Sequence, residues 1–303
     1  MKFSQEDIQE IEDHGLTVEQ VEAQVDKFVN GVPTVKLVSA ATVSDGIFKL
    51  TEEEESAYLK FYDSHKKGLD ILKFTPASGA ASRMFKAVYQ FIEDYDIDKE
   101  SVDEYLNRTK NKDIKQLLDN RKKFPFYEKV ESILQDRYSE SELADENFKK
   151  LSFVKIMMNA DGLDYGNYPK GLLPFHNYKS SIATAFEEHF HEAAAYAAAA
   201  DKSALHFTVS PEHKERFKEH YNTIKDSVIN ATGVNYTVDY SFQKSSTDTV
   251  AVTTSNELYR KPDGKLLFRP GGHGALIENL NDVDADIIFI KNIDNVLVQS
   301  QIS

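Results

Sequence analysis

Apolar residues recur at helical spacing through the first 68 residues. Ser4 is placed to cap a helix that carries Ile8 and Ile11 and stops at Gly15. Thr17 with Gln20 three residues on forms a capping-box pattern. Val18, Val21, Val25 and Phe28 then fall on one face, and Gly31 ends the helix. Thr51 with Glu54 repeats the pattern; Tyr58, Leu59 and Tyr62 supply the expected buried face, and Gly68 closes it. Leu69–Thr75 then reads as a short strand. A small-residue loop, Pro76–Ser82, leads into an amphipathic helix through Met84, Val88, Phe91 and Ile92. Residues 97–150 are charged, helical in pattern and free of glycine, and are expected to form an inserted helical subdomain.

From about residue 160 strands and helices alternate. A loop rich in Gly, Asp and Pro precedes an Ala-rich helix over about 181–200. Leu205–Val209 reads as a strand, and Pro211–Asn230 as a helix opened by proline in its first turn. Val234–Phe242 alternates like a strand, and weaker strand patterns cover Thr249–Thr253 and Lys265–Phe268. A glycine loop at 271–274 precedes a short helix. Ala285–Ile290 is a continuous apolar run of the kind buried on both faces. The alternation predicts an α/β fold: a mostly parallel sheet with helices on both faces. The expected organisation is an N-terminal helical segment, 1–68, and an α/β domain, 69–303, holding the insertion.

Composition narrows the function. The net charge is −14, so a phosphate backbone repels the chain and nucleic acid is a poor partner. With no cysteine, disulfides, thiolate zinc sites, iron–sulfur clusters and thiol nucleophiles are excluded. The longest apolar run, Ala193–Ala200, is far short of a membrane span, and the first residues carry no secretory pattern. The expected location is the cytoplasm, with no membrane partner.

Four segments could carry chemistry, and each also has a plain structural reading. Pro76 to Lys86 (PASGAASRMFK) joins a strand to a helix through small residues, a natural anion site with Arg83 as a fixed cation. It also fits a tight strand–helix connection. Lys170, between Pro169 and Gly171, could aim an ammonium at a phosphate, or be an exposed loop lysine. Arg269 to Leu276 (RPGGHGAL) surrounds His273 with glycines that admit a close ligand, or is a helix-entry turn. Asp294 and Asn295 follow a strand, where a carboxylate suits magnesium beside phosphates, or an Asx turn. Glu188, His189, His191 and Glu192 share a helix with one metal-compatible i,i+3 pair, but a charged, solvated face explains them better.

The order of the four segments resembles that of the UDP-sugar pyrophosphorylases, a branch of the nucleotide-diphospho-sugar transferase superfamily. The family loop, roughly L-x-G-G-x-G-T-R-L, is similar to PASGAASRM here, and its P-K-G to Pro169–Gly171. Its M-T-S strand end is similar to Phe207–His213, and its Phe-Gln segment to Tyr240–Gln243. Its P-x-G-[N/H]-G-x-[L/I] matches Pro270–Leu276, and its V-D-N-[I/L]-L matches Ile293–Leu297. The resemblance covers about 69–86 and 165–299. The whole chain also looks like an uncharacterised bacterial family, a domain of unknown function with the same features.

The resemblance implies a Rossmann-like fold and a reaction. A nucleotidyl group passes from a nucleoside triphosphate to a sugar 1-phosphate, with release of pyrophosphate. Positioning and charge neutralisation do most of the work, so no nucleophilic side chain is needed. It implies that Ser78, Gly79, Ala80 and Ala81 cradle the triphosphate through backbone N–H groups. Arg83 would stabilise the leaving pyrophosphate, and Lys170 would sit by the phosphates. Gln243 would read the base edge; Gly272, His273 and Gly274 would lie against nucleoside or sugar; Asp294 would hold Mg2+. Partners would be a nucleoside triphosphate and a sugar phosphate.

Two family glycines are replaced, by Ser78 and Ala81, and a positive φ at Ala81 would cost about 1 kcal/mol or more. The family runs well beyond the position of Asp294, so a version incomplete at its C-terminus and short of full activity is expected. An exposed sheet edge there would favour a homo-oligomer. A non-catalytic nucleotide-binding or interaction module, or a glycosyltransferase using nucleotide sugars, are the alternatives. The Asp-Asn strand end, in place of Asp-x-Asp, disfavours the last.

Overall fold

The computed structural model describes residues 3–79, 81, 84–178 and 181–296. Among them the chain is mixed α/β, with 12 α-helices and one four-stranded parallel sheet. It divides into two compact units. The first holds Met1–Ile71 and Ser241–Ile288, the second Leu72–Tyr240 and Phe289–Ser303.

The chain opens with α1 (Gln5–Asp13), α2 (Val18–Asn30), two-residue strands β1 (Thr42–Val43) and β2 (Gly46–Ile47), and α3 (Glu52–His65). All three helices start in a reciprocal capping box: Ser4 with Asp7, Thr17 with Gln20, Thr51 with Glu54. Each satisfies two backbone N–H groups that helix geometry leaves orphaned. Ile11, Val21 and Val25 fill a small core of the first unit with Val250 and Leu266. Two expectations fail here. Phe28 is exposed, and α3 buries none of its residues, with Tyr58 and Leu59 about 60% exposed (63% and 59%). An amphipathic stripe forms the helix but does not by itself supply a surface to bury it.

Next come β3 (Ile71–Pro76) and α4 (Lys86–Asp94), then the helices α5 (Val102–Thr109), α6 (Lys112–Asp119), α7 (Tyr127–Arg137), α8 (Glu140–Leu143) and α9 (Glu146–Met158). The last five share a core with α4, built on Phe91, Tyr105, Ile114, Leu134 and Phe153, each fully buried. A hairpin follows, β4 (Pro174–Asn177) with β5 (Ile182–Thr184), then α10 (Ala185–Tyr196), β6 (Lys202–Thr208), α11 (Lys214–Thr232) and β7 (Asn235–Ser241). The chain continues through β8 (Thr249–Val250) and β9 (Phe268–Arg269), paired antiparallel, α12 (Ile277–Asn281) and β10 (Ile287–Ile290).

The parallel sheet has the order β10-β3-β6-β7. In register, Leu72 faces Ala204 and Pro76 faces Thr208. The chain steps outward from β3 to β6 to β7, then returns to the other side of β3 as β10. Strand order therefore reverses between β3 and β10. Behind β6, Phe186, Phe190, Phe207 and Phe217 form an aromatic cluster; the rings of Phe186 and Phe207 lie 4.6 Å apart. The apolar run 285–290 was expected to be buried on both faces. It is instead an edge strand of this sheet: no residue of β10 is fully buried and Ile290 is 59% exposed. Among the described residues it pairs with β3 alone, which leaves it an edge.

Candidate functional site

The carboxyl ends of β3, β6 and β10 meet at one corner of the second unit. Ala77 N–H donates to the Thr208 carbonyl at 2.7 Å, and Ile293 N–H to the Pro76 carbonyl at 3.2 Å. The Ser210 hydroxyl donates to the Ser78 carbonyl at 3.1 Å. Thus the loop after β3 is held on both sides by the loops that leave its neighbours.

Lys170 joins the pieces. Its N–H donates to the Gly79 carbonyl at 3.2 Å, and its ammonium pairs with the Asp294 carboxylate. Lys170 and Asp294 are both partly exposed, so the pair faces solvent at the rim. Gly171 explains the close approach. A Cβ there would lie 2.7 Å from Ile293 Cγ1, so only glycine lets this turn sit against the strand exit. Nothing lies within 4 Å of the Cβ position of Gly79, which is exposed at the tip of its loop. Arg216 of α11, which sequence reasoning passed over, steadies the approach to Pro169. It stacks over Tyr168 at 4.6 Å and holds Asp164 at 3.2 Å.

Ala80 and Arg83 lie outside the described residues. Ala81 is buried against the helical core, with its carbonyl accepting from Phe85 N–H at 3.0 Å. Gln243, Gly272, His273 and Gly274 lie in the first unit. There Gln243 Nε2 donates to Asp248 Oδ1 at 3.1 Å, and Asp248 also meets His14 at 2.9 Å. Gly271 is crowded: a Cβ would reach 3.1 Å from the Thr247 carbonyl and 3.7 Å from Gln243 Nε2, so the glycine loop lies beside Gln243. Gly272, His273 and Gly274 are exposed.

The α10 residues overturn an expectation. Glu188, His189 and Glu192 were read as a solvated face, yet none is more than 1% exposed; only His191 is partly open. Helix α10 carries Phe186, Phe190 and Ala193 on its other sides and packs against the hairpin, β6 and α11. Its charged face has no water to meet. Instead Glu192 accepts from Lys73 Nζ at 2.7 Å, from Lys291 and from the Tyr196 hydroxyl at 3.1 Å. Lys73, in mid-β3, also donates to the His189 carbonyl at 3.0 Å. Burial pulls the Lys73 ammonium down to about 8, while Glu192 holds it up. His189 Nε2 bonds the Ile293 carbonyl at 3.1 Å, one residue before Asp294. Burial, then the nearby Lys73 charge, push this imidazole down to about 3, so it is neutral and Nε2 carries the proton. Burial raises the Glu188 carboxyl to about 7, with Glu187 and Glu192 adding and Tyr178 opposing. The network ties α10 to β3 and to the exit of β10, directly behind the rim pair.

Among the described residues, no group of three or more His, Asp or Glu side chains is gathered to hold a metal ion. Among the same residues no helix is long and apolar enough to cross a membrane.

A mixed α/β protein with an ion pair at the carboxyl ends of a parallel sheet, backed by a buried Lys73–Glu192 pair that the partly exposed Lys291 joins, is the class these observations define. The chain belongs to a family described as a domain of unknown function, DUF4301, whose model matches residues 4–303. No curated protein and no solved structure matches it.

Proposed function

We propose that the chain is a nucleotidyltransferase-like protein of Rossmann-like, nucleotide-diphospho-sugar transferase type, acting on a nucleoside triphosphate and a sugar 1-phosphate. The observation that carries the reading is Lys170, bonded at once to the loop after β3 through Gly79 and to Asp294 after β10. Three segments nearly a hundred residues or more apart thereby share one rim. It lies where strand order reverses, the position at which open parallel sheets bind ligands.

The rim suits polyphosphate. The loop, half-buried at Ser78 and exposed at Gly79, offers backbone to phosphate oxygens, and the ammonium of Lys170 offers a mobile charge. In the resting chain that charge rests on Asp294. On nucleotide binding Lys170 moves from Asp294 to the phosphates. Asp294 alone fits magnesium that arrives on a triphosphate, since such ions take one or two carboxylates and complete their shell with phosphate and water. When bound, the ion neutralises charge on the phosphates. Arg83 is assigned to the leaving pyrophosphate. The acceptor oxygen of the sugar phosphate attacks the α-phosphorus in line and the pyrophosphate oxygen leaves. The side chains orient and neutralise, and none forms a covalent bond.

The test is thermal shift with UTP, ATP and UDP-sugars in the presence of magnesium, followed by an assay for pyrophosphate release. A shift of several degrees with a triphosphate supports the reading. Absence of a shift with every nucleotide leaves the family a non-catalytic module.

A further inference from the structure

The helical part of the second unit holds a cavity that the nucleotide reading does not use. It encloses about 180 Å³ between α4, α6, α9 and the strand β4. Its walls are apolar, with Phe85, Leu117, Phe126, Met157 and Leu173 among them. Met84 and Phe175, also in its lining, are about 40% exposed (39% and 43%), so apolar surface is shown to solvent there. An apolar void of about 150 Å³ stays dry and takes up a benzene-sized guest. This one is of that size and opens at the surface.

A second, polar groove of about 510 Å³ adjoins it and shares Met84, Ala87 and Asp113 as walls. Lys86, Lys110 and Lys112 line this groove, with Asp113 the acidic side chain among its lining residues. That leaves two positive charges in excess on a chain whose net charge is −14. Lys110 is the left-handed C-cap of α5, at φ 54°. Lys112 is the first residue of α6, where the helix dipole disfavours a cation. Elsewhere in this helical part Lys99, Lys115 and Lys149 each hold a carboxylate. Among the described residues, none pairs with Lys86, Lys110 or Lys112.

We propose that this face binds a small anionic amphiphile, an aromatic or short alkyl body in the cavity with a carboxylate head on Lys86, Lys110 and Lys112. The size of the cavity selects the body, and the excess positive charge selects the head. The site is independent of the nucleotide reading, and its test involves no nucleotide.

Calorimetry on the full chain with 4-phenylbutanoate, 4-phenylbutanol and 4-phenylbutylamine reads both features. The carboxylate should bind about five-fold or more tighter than the alcohol, and the amine weakest, with the preference shrinking in high salt. Lys110→Glu with Lys112→Glu, both exposed and harmless to the core, should abolish that preference. Leu117→Trp, which fills the cavity, should remove binding of all three while the thermal melt stays cooperative. Tightest binding of the amine, an unchanged order in the lysine variant, or no binding of any probe at millimolar concentration would each overturn the proposal. If the tryptophan variant does not fold, the lysine variant and the three-ligand order still decide it.

Discussion

Replacing Glu192 by glutamine keeps the shape of the α10 face and removes the charge that balances two lysines. Lys73 is fully buried and its ammonium is already drawn down to about 8. Its sign is that of a depressed base. Folding favours the neutral amine, so this group's contribution to stability is lowest below pH 8 and rises as pH climbs toward 10.5, its ordinary value. Without Glu192 the ammonium is uncompensated. Breaking a buried pair and leaving the charge costs about 3–5 kcal/mol, but from a folded value of about 8 shedding the proton at pH 7 costs only about 1.4 kcal/mol, so the variant's lysine sheds it. With the weaker hydrogen bonds added, Glu192→Gln should lose about 2–3 kcal/mol at pH 7. Near pH 10 the folded lysine is mostly neutral with or without Glu192. The deficit should then shrink to about 1 kcal/mol, the worth of the hydrogen bonds that Gln makes less well. Lys73→Met with Glu192→Gln should recover most of the loss, since Lys291 is partly exposed and can turn to water. Urea denaturation of the three variants at pH 7 and pH 10 measures this. A deficit below 1 kcal/mol at pH 7, or one that does not change with pH, refutes the claim that Glu192 compensates a buried charge.

Glu188 has the opposite sign of titration: a carboxyl raised to about 7 gives stability that is full below pH 4.5 and lost as pH rises through 7. Glu188→Gln should flatten that slope and be more stable than the parent at pH 8 by on the order of 3 kcal/mol, read by denaturation at pH 4.5 and 8. Asp7, gripped by Arg260 at 2.7 and 3.0 Å, is lowered to about 2, so its contribution is present above pH 3.8 and lost as pH falls through 2. Asp7→Asn should cost on the order of 2 kcal/mol at pH 7 and almost nothing at pH 2, followed by circular dichroism. Lys170→Ala should weaken triphosphate binding about 10- to 100-fold in calorimetry while leaving the melting temperature within a degree or two, because its ion pair is at the rim.

What could be read from the sequence was local. The capping boxes at Ser4, Thr17 and Thr51 depend on residues three positions apart, and each forms. The strand beginning near residue 70 and the helix after it follow from short-range pattern in the same way. The order of segments also pointed Lys170 and Asp294 toward one place, although spacing alone gives no distances. The failures are all matters of what lies opposite. Tyr58 and Leu59 sit on a helical stripe, yet among the described residues nothing covers them. The run at 285–290 is apolar enough for a central strand, yet its position is an edge. Glu188, His189 and Glu192 resemble a solvated face by periodicity, and only tertiary packing buries them. Two signals did point that way. Helix α10 carries Phe or Ala at half of its positions, spread around its circumference, which marks a buried helix, and Lys73 interrupts an apolar strand with a charge that must find a partner.

The most direct test is a crystal structure of the chain soaked with a nucleoside triphosphate and magnesium. The account predicts phosphates against Ser78 and Gly79, the Lys170 ammonium swung from Asp294 onto a phosphate oxygen, and the cation on the Asp294 carboxylate. Nucleotide bound elsewhere, with the Lys170–Asp294 pair intact, would contradict it.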